Sequence, residues 1–229
     1  MSTAGDTPHR HRPPRVPRGQ RRRHEILIVA ERAFLGQGFT ETTMQSIAAA
    51  AGASKETLYR HFKSKDDLLI EIVLARTAEL RRALDGDVDS GAGMAAVLTH
   101  LGRNLLTAVT TPDTVALLRI VIAETVRNPD LGLSLYTAGP ERTNRLLTGY
   151  LAAAKSRGEF HGDDAALAAS LFLGSVLGNE PLVGLLRRPK HPMTAKAIEA
   201  RVGEAVTLFM TRYAATPPGA AEAAPSRTG

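Results

Sequence analysis

The stretch from Phe39 to Leu69, FTETTMQSIAAAAGASKETLYRHFKSKDDLL, carries three helix-start signals and one helix-stop signal within 31 residues. Thr42 with Gln45 fits a capping box and opens a short Ala-rich helix through about Ala51. Gly52 can take the left-handed conformation that closes a helix. Ser54 can then cap a second short helix to about Phe62, and Ser64 with Asp67 fits a third cap, opening a long helix to about Leu84. Two short helices joined by a tight glycine turn fit a helix-turn-helix, and equally an ordinary helical hairpin. Ala48, Ala51 and Ala53 are small where the helices must cross, while Ile47, Leu58 and Phe62 can pack on Phe34 and Phe39.

That packing leaves Ser54, Lys55, Thr57, Tyr59, Arg60, His61, Lys63 and Lys65 on the outer face, all hydrogen-bond donors and several of them cations. Phosphate contacts use this chemistry. Lys65 is the informative member, because a helix N-terminus already carries partial positive charge and a cation there has the wrong sign. An arriving anion would reverse the penalty. DNA backbone is the anion that fits best.

The charge distribution points the same way. The net charge is +6, and residues 1–24 hold seven arginines against Asp6 alone, so the remainder of the chain is neutral. A Pro- and Arg-rich arm of this kind cannot bury a core and is expected to be disordered when free. It reads either as a solvated tail or as an arm beside a DNA-binding module. Cysteine is absent, which excludes disulfides, thiolate metal sites and cysteine nucleophiles. No apolar run approaches the ~18 residues of a membrane span, and the N-terminus has no apolar signal region, so a cytoplasmic protein without membrane contact is expected.

In register, the glycine turn with its aromatic (Gly38-Phe39), Thr42-Thr43, Ile47-Ala48, Ala51-Gly52-Ala53-Ser54, Leu58-Tyr59-Arg60-His61-Phe62 and Ser64-Lys65-Asp66-Asp67-Leu68 closely resemble the DNA-binding domain of TetR/AcrR-family transcriptional regulators. The resemblance covers about residues 20–70. It implies an all-α homodimer with an N-terminal three-helix helix-turn-helix domain and a helical C-terminal domain for ligand binding and dimerisation. Carried over by position, it places Thr43 on phosphate, Ser54, Lys55 and Thr57 at the groove end of the recognition helix, and Tyr59, His61 and Lys65 on the DNA backbone. Lys55 is the candidate for a base edge, since lysine can bond guanine O6 and N7. Many relatives have glycine where this chain has Glu56, which can accept from a cytosine amino group or face solvent. Arg21, Arg22 and Arg23 are expected near the backbone at the start of the first helix, with Arg18 and the residues before it reaching the minor groove. The expected organisation is a basic arm (1–18), a DNA-binding domain (19–66), a regulatory and dimerisation domain (67–214) and a disordered tail (215–229).

Beyond the motif, apolar-periodic segments at about 92–109, 113–127, 130–156, 163–186 and 194–213 are separated by Pro and Gly, with no strand-like alternation. Residues 118–147 weakly resemble the C-terminal domain of an AcrR-like subgroup. There Arg119 and Glu124 interrupt an apolar helix; a buried charge must be paired, so they form a structural salt bridge, lie on the surface, or project into an effector cavity with His100, Asn104, Tyr136, Phe172 and Asn179. Ten aromatic residues and no Trp favour a lipophilic effector over a flat stacked one. The last two segments hold Ala165, Ala168, Ala169, Gly174, Ser175 and Gly178, then a stripe of Ile198, Val202, Ala205, Val206, Phe209 and Tyr213. They serve an intramolecular core or, as the resemblance implies, a four-helix dimer seam. His100, His161 and His191 lack metal-ligand spacing, and no phosphate loop or nucleophile elbow is present, so neither an enzyme nor a metal or cofactor is expected. Two readings follow: a repressor released from a palindromic operator by a small effector, or a ligand-independent architectural DNA-binding protein.

Overall fold

The structure is a computed structural model that describes residues 18–76, 93–187 and 191–214. The arm before Arg18, the tail after Ala214 and the expected continuation of the long helix to Leu84 lie outside the described residues. The described residues are helical, without strands; one bridge pairs Phe160 with Ala214. Four helices come first: α1 (Arg18–Gly36), α2 (Met44–Ala50), α3 (Lys55–His61) and α4 (Lys65–Arg76). The remainder contains α5 (Met94–Thr110), α6 (Pro112–Thr125), α7 (Pro129–Tyr136), α8 (Arg142–Ser156), α9 (Ala165–Leu177), α10 (Glu180–Arg187) and α11 (Ala195–Tyr213).

Local chemistry sets the boundaries. Gly52 closes α2 at φ +59, and Ser54 caps α3 by accepting from the Thr57 N–H at 3.1 Å. The first cap sits one residue later than its spacing suggests. Thr43, not Thr42, accepts from the Ser46 N–H (3.0 Å), and Ser46 accepts in return from the Thr43 N–H (3.1 Å). Thr42 is instead buried and donates to the Gly38 carbonyl, closing the α1–α2 turn. At the start of α4, Ser64 accepts from the Asp67 N–H and Asp67 reaches back to the Lys63 N–H, both at 3.0 Å. The expected 163–186 helix is broken at Gly178, where φ is +52 and a Cβ would collide with Arg201 Nη1. The 130–156 segment instead stays helical through Pro140, because one π turn (Thr137–Glu141) widens the helix around a residue with no N–H.

Two apolar clusters form. One joins α5, α8, α9 and α11 through Leu98, Leu101, Leu151, Phe172, Val202 and Phe209. The other joins α1–α4, through Ile26, Phe34, Ile47, Leu58, Phe62, Leu68 and Ile72, to Leu117 and Val121 of α6 and Leu131 of α7. The expected boundary at 66–67 therefore does not coincide with the division between cores: α4, α6 and α7 share the N-terminal one. Leu58 is fully buried and is the residue by which α3 is anchored. Leu58→Ala is expected to lower stability by about 2–5 kcal/mol in urea unfolding, the cost of a core cavity; a loss under about 1 kcal/mol would show that α3 is held by something else.

Candidate nucleic-acid interface

Burying Leu58 and Phe62 fixes which face of α3 meets solvent. Ser54, Lys55, Glu56, Tyr59 and Arg60 are exposed, and Thr57 and His61 are half-buried beside them. The Ser54 and Thr57 hydroxyls lie 2.9 Å apart, so each fixes the other's orientation. The Lys55 ammonium lies 5.9 Å from the centroid of the Tyr59 ring, one turn along the same face. Thr43 is exposed at the start of α2, and its hydroxyl oxygen accepts from the Ser46 N–H at 3.0 Å. Arg18 and Arg21 are exposed on the opening turn of α1, which holds no acid. As with a lysine at a helix start, two arginines there are unfavourable to the helix dipole unless an anion is bound.

Three of the expected DNA contacts are committed within the chain. Arg22 donates to the Gly52 carbonyl at 2.6 Å and pairs with Glu25 at 3.0 Å, bracing the helix-turn-helix corner against α1. Arg23 pairs with Glu71 of α4 at 2.9 Å and lies 5.1 Å over the Phe62 ring. Lys65 directs its ammonium at the Phe39, Thr40 and Thr42 carbonyls (2.6, 3.3 and 2.9 Å) and sits 4.4 Å from the centroid of Phe39. The anomalous cation at the start of α4 thus meets the carbonyl oxygens of the α1–α2 turn. No sequence signal marks the bonds of Arg22 and Lys65 to backbone carbonyls, which join residues 23 to 30 positions apart.

The candidate effector residues are spread over α5, α6, α7, α9 and the turn after α9. His100 is exposed and Asn104 half-buried on α5; Tyr136 and Asn179 are exposed at helix ends; Glu124 is half-buried on α6. Phe172 is fully enclosed in the C-terminal core, edge-on to Phe209 at 5.5 Å. Arg119 has no carboxylate partner among the described residues. It donates to the Gly184 carbonyl at 3.4 Å and to the Leu185 carbonyl in the last turn of α10. It also borders a cleft of about 450 Å³ between the end of α1 and α6, walled by Leu35, Phe39, Val115, Ala116 and Ile120.

Residues 26–72, which carry this face, match the family of bacterial regulatory proteins of the tetR type, and residues 96–215 match the C-terminal domain of AefR-like transcriptional repressors. The chain belongs to the TetR family. Its fold is similar to a TetR-family transcriptional regulator from Mesorhizobium loti, at 27% identity and TM-score 0.72, covering 87% of this chain and 100% of that one. It is also similar to the flavonoid-responsive regulator FrrA, at 32% identity and TM-score 0.64, covering 85% and 98%. Among curated relatives, an HTH-type regulator of Mycobacterium bovis is 28% identical over 83% of this chain and 89% of its own length. AcrR of Shigella flexneri is 47% identical over 53 residues, where the chain spans about a quarter (25%) of that relative's length. This TetR-family chain is thus a transcriptional regulator of a DNA-binding family and not an enzyme. Among its described residues, no single helix is long and apolar enough to cross a membrane.

Proposed function

We propose that this regulator binds a palindromic operator as a homodimer, represses, and is released when a small lipophilic molecule occupies the C-terminal half. The observation that carries the DNA half of this reading is the outer face of α3. Ser54, Lys55 and Tyr59 stand together on one exposed surface of a helix whose opposite side is locked into the core by Leu58. Lys55 reads a base edge, while Ser54, Thr57, Tyr59, His61, Thr43, Arg18 and Arg21 contact backbone. Arg22, Arg23 and Lys65 act one step removed, by holding α1, α2 and α4 in the geometry that presents α3. One short helix reads few bases, and a dimer reads two half-sites about one turn apart.

Support for the dimer comes from the faces of α9 and α11 turned away from the core. Ile198, Val202, Ala205, Val206 and Phe209 are buried within the chain itself. Leu167, Leu171 and Leu208 are left more than half exposed. Gly203 in the middle of α11 and Gly174 in the last turn of α9 are exposed, with open space where a Cβ would stand. Glycine within a helix costs about 1 kcal/mol relative to alanine, and among the described residues nothing needs either one to be small. Close approach of a second copy would.

Repression is supported by the AefR-like repressor match over residues 96–215. A ligand response is supported by the 450 Å³ cleft, and by the flavonoid response named for FrrA. An effector that prefers the released state ~100-fold contributes about 2.7 kcal/mol per protomer against DNA binding. A cytoplasmic location follows from this role.

Selection from random duplex DNA at two salt concentrations tests the proposal. The expected outcome is a palindrome that sharpens as salt rises; a pool without a motif would favour the architectural reading. On the selected site, Lys55→Ala is expected to relax preference at one base pair by about 1–3 kcal/mol. Tyr59→Phe should weaken binding equally on all sequences. A swap of those two patterns would refute the assigned roles.

A further inference from the structure

The cleft between α1 and α6 has properties that neither core packing nor DNA contact uses. Leu35 and Phe39 form one wall, from the DNA-binding domain; Val115, Ala116 and Ile120 of α6 form the other. Its volume, about 450 Å³, falls in the range of sites that enclose small organic ligands. Arg119 is the one charged side chain on these walls. Its Nη2 donates only to neutral carbonyls at the end of α10, and its Nε is buried without an acceptor.

Neighbouring guanidinium groups are treated differently. Arg76 of α4 is paired with Glu31 of α1 and Asp113 of α6. Burial pulls the Arg76 pKa down, but these carboxylates more than offset it and hold it above its ordinary value. Arg23 is paired with Glu71. Asp113, the acid in the first turn of α6, is turned to Arg76. Arg119 is therefore a half-buried cation without a counter-ion among the described residues, beside an otherwise apolar space. A partly desolvated charge is favourable only when paired.

We propose that this cleft binds an amphiphile with one carboxylate head group. The head pairs with Arg119 and the apolar body lies between Leu35, Phe39 and Ile120. The site is separate from the core enclosed by α5, α8, α9 and α11. Because its two walls belong to α1 and α6, an occupant touches the DNA-binding helices and the regulatory helices at once and favours one angle between them. That consequence rests on the ligand-responsive reading above; the binding itself does not.

Calorimetric titration of the full chain, without DNA, with decanoate and with decanol tests the site. Decanoate is expected to bind once per chain and at least about tenfold more tightly than decanol. Arg119→Met should bring decanoate to the level of decanol. Arg119 also ties α6 to α10, so Leu35→Trp, at a position already 37% exposed, supplies an independent variant. It should fill the cleft and weaken decanoate at least about tenfold without lowering the melting temperature. Equal affinity for decanoate and decanol, absence of binding, or unchanged decanoate affinity in Leu35→Trp would each overturn the site. Operator affinity with and without decanoate, measured by fluorescence anisotropy, is read separately. Binding at the site with no effect on the operator would refute the coupling and leave the site standing.

Discussion

Replacing Lys65 by methionine is expected to destabilise the protein by about 2–4 kcal/mol and to weaken DNA binding without changing its salt dependence. The ammonium is shared among three carbonyls of the α1–α2 turn and rests on Phe39. Hydrogen bonds from a charged donor contribute roughly 1.5–3 kcal/mol each when well shielded. Lys65 is half-buried, and the three bonds share one charge, so the sum is discounted. Without them the turn that carries the Thr43 cap loosens, and α2 with it. The competing role, a direct phosphate contact, makes the opposite pair of predictions. Stability would be nearly unchanged, and the slope of log affinity against log salt would fall by about 0.9 for the lost contact. Urea unfolding together with a salt titration separates the two, and a reduced slope at unchanged stability would return Lys65 to the DNA backbone.

Gly203→Leu, and independently Gly174→Leu, are expected to dissociate the proposed dimer while leaving the folded monomer intact or slightly more stable. Both glycines are exposed within helices, with no described residue near the position of a Cβ. Leucine there meets no atom of the described residues at Cβ and raises helix propensity by up to about 1 kcal/mol. Between two copies, each side chain is duplicated by symmetry and must fit where the helices approach most closely. Sedimentation should show a shift of at least about a hundredfold in the dimer dissociation constant, near 2.7 kcal/mol. Operator affinity should fall with it, because a single recognition helix is left to bind one half-site. A variant that remains dimeric and binds its operator normally would place the interface on another face.

The contrast between Ser54 and Lys65 shows what kind of information each level holds. Ser54, Gly52 and the exposed row on α3 were legible because their partners lie three or four residues away, so capping and periodicity encode them locally. Thr42 and Thr43 show the edge of that legibility. Spacing points to Thr42 as the cap of α2, but the Gly38 carbonyl, reached only when the α1–α2 turn is formed, takes the Thr42 hydroxyl and the cap falls to Thr43. The candidate effector residues differ in exposure for a related reason. Phe172 and Tyr136 have similar local surroundings in sequence, yet packing buries one and exposes the other. By itself, the order of residues determined the helices, the outward face of α3 and the membership of a DNA-binding family. Tertiary structure alone decided that Arg22, Lys65 and Arg119 face backbone carbonyls 30, 26 and 66 residues away, and that a cleft opens between α1 and α6. Those contacts depend on how whole helices cross, a balance of burial summed over many side chains, and no short stretch of sequence contains that sum.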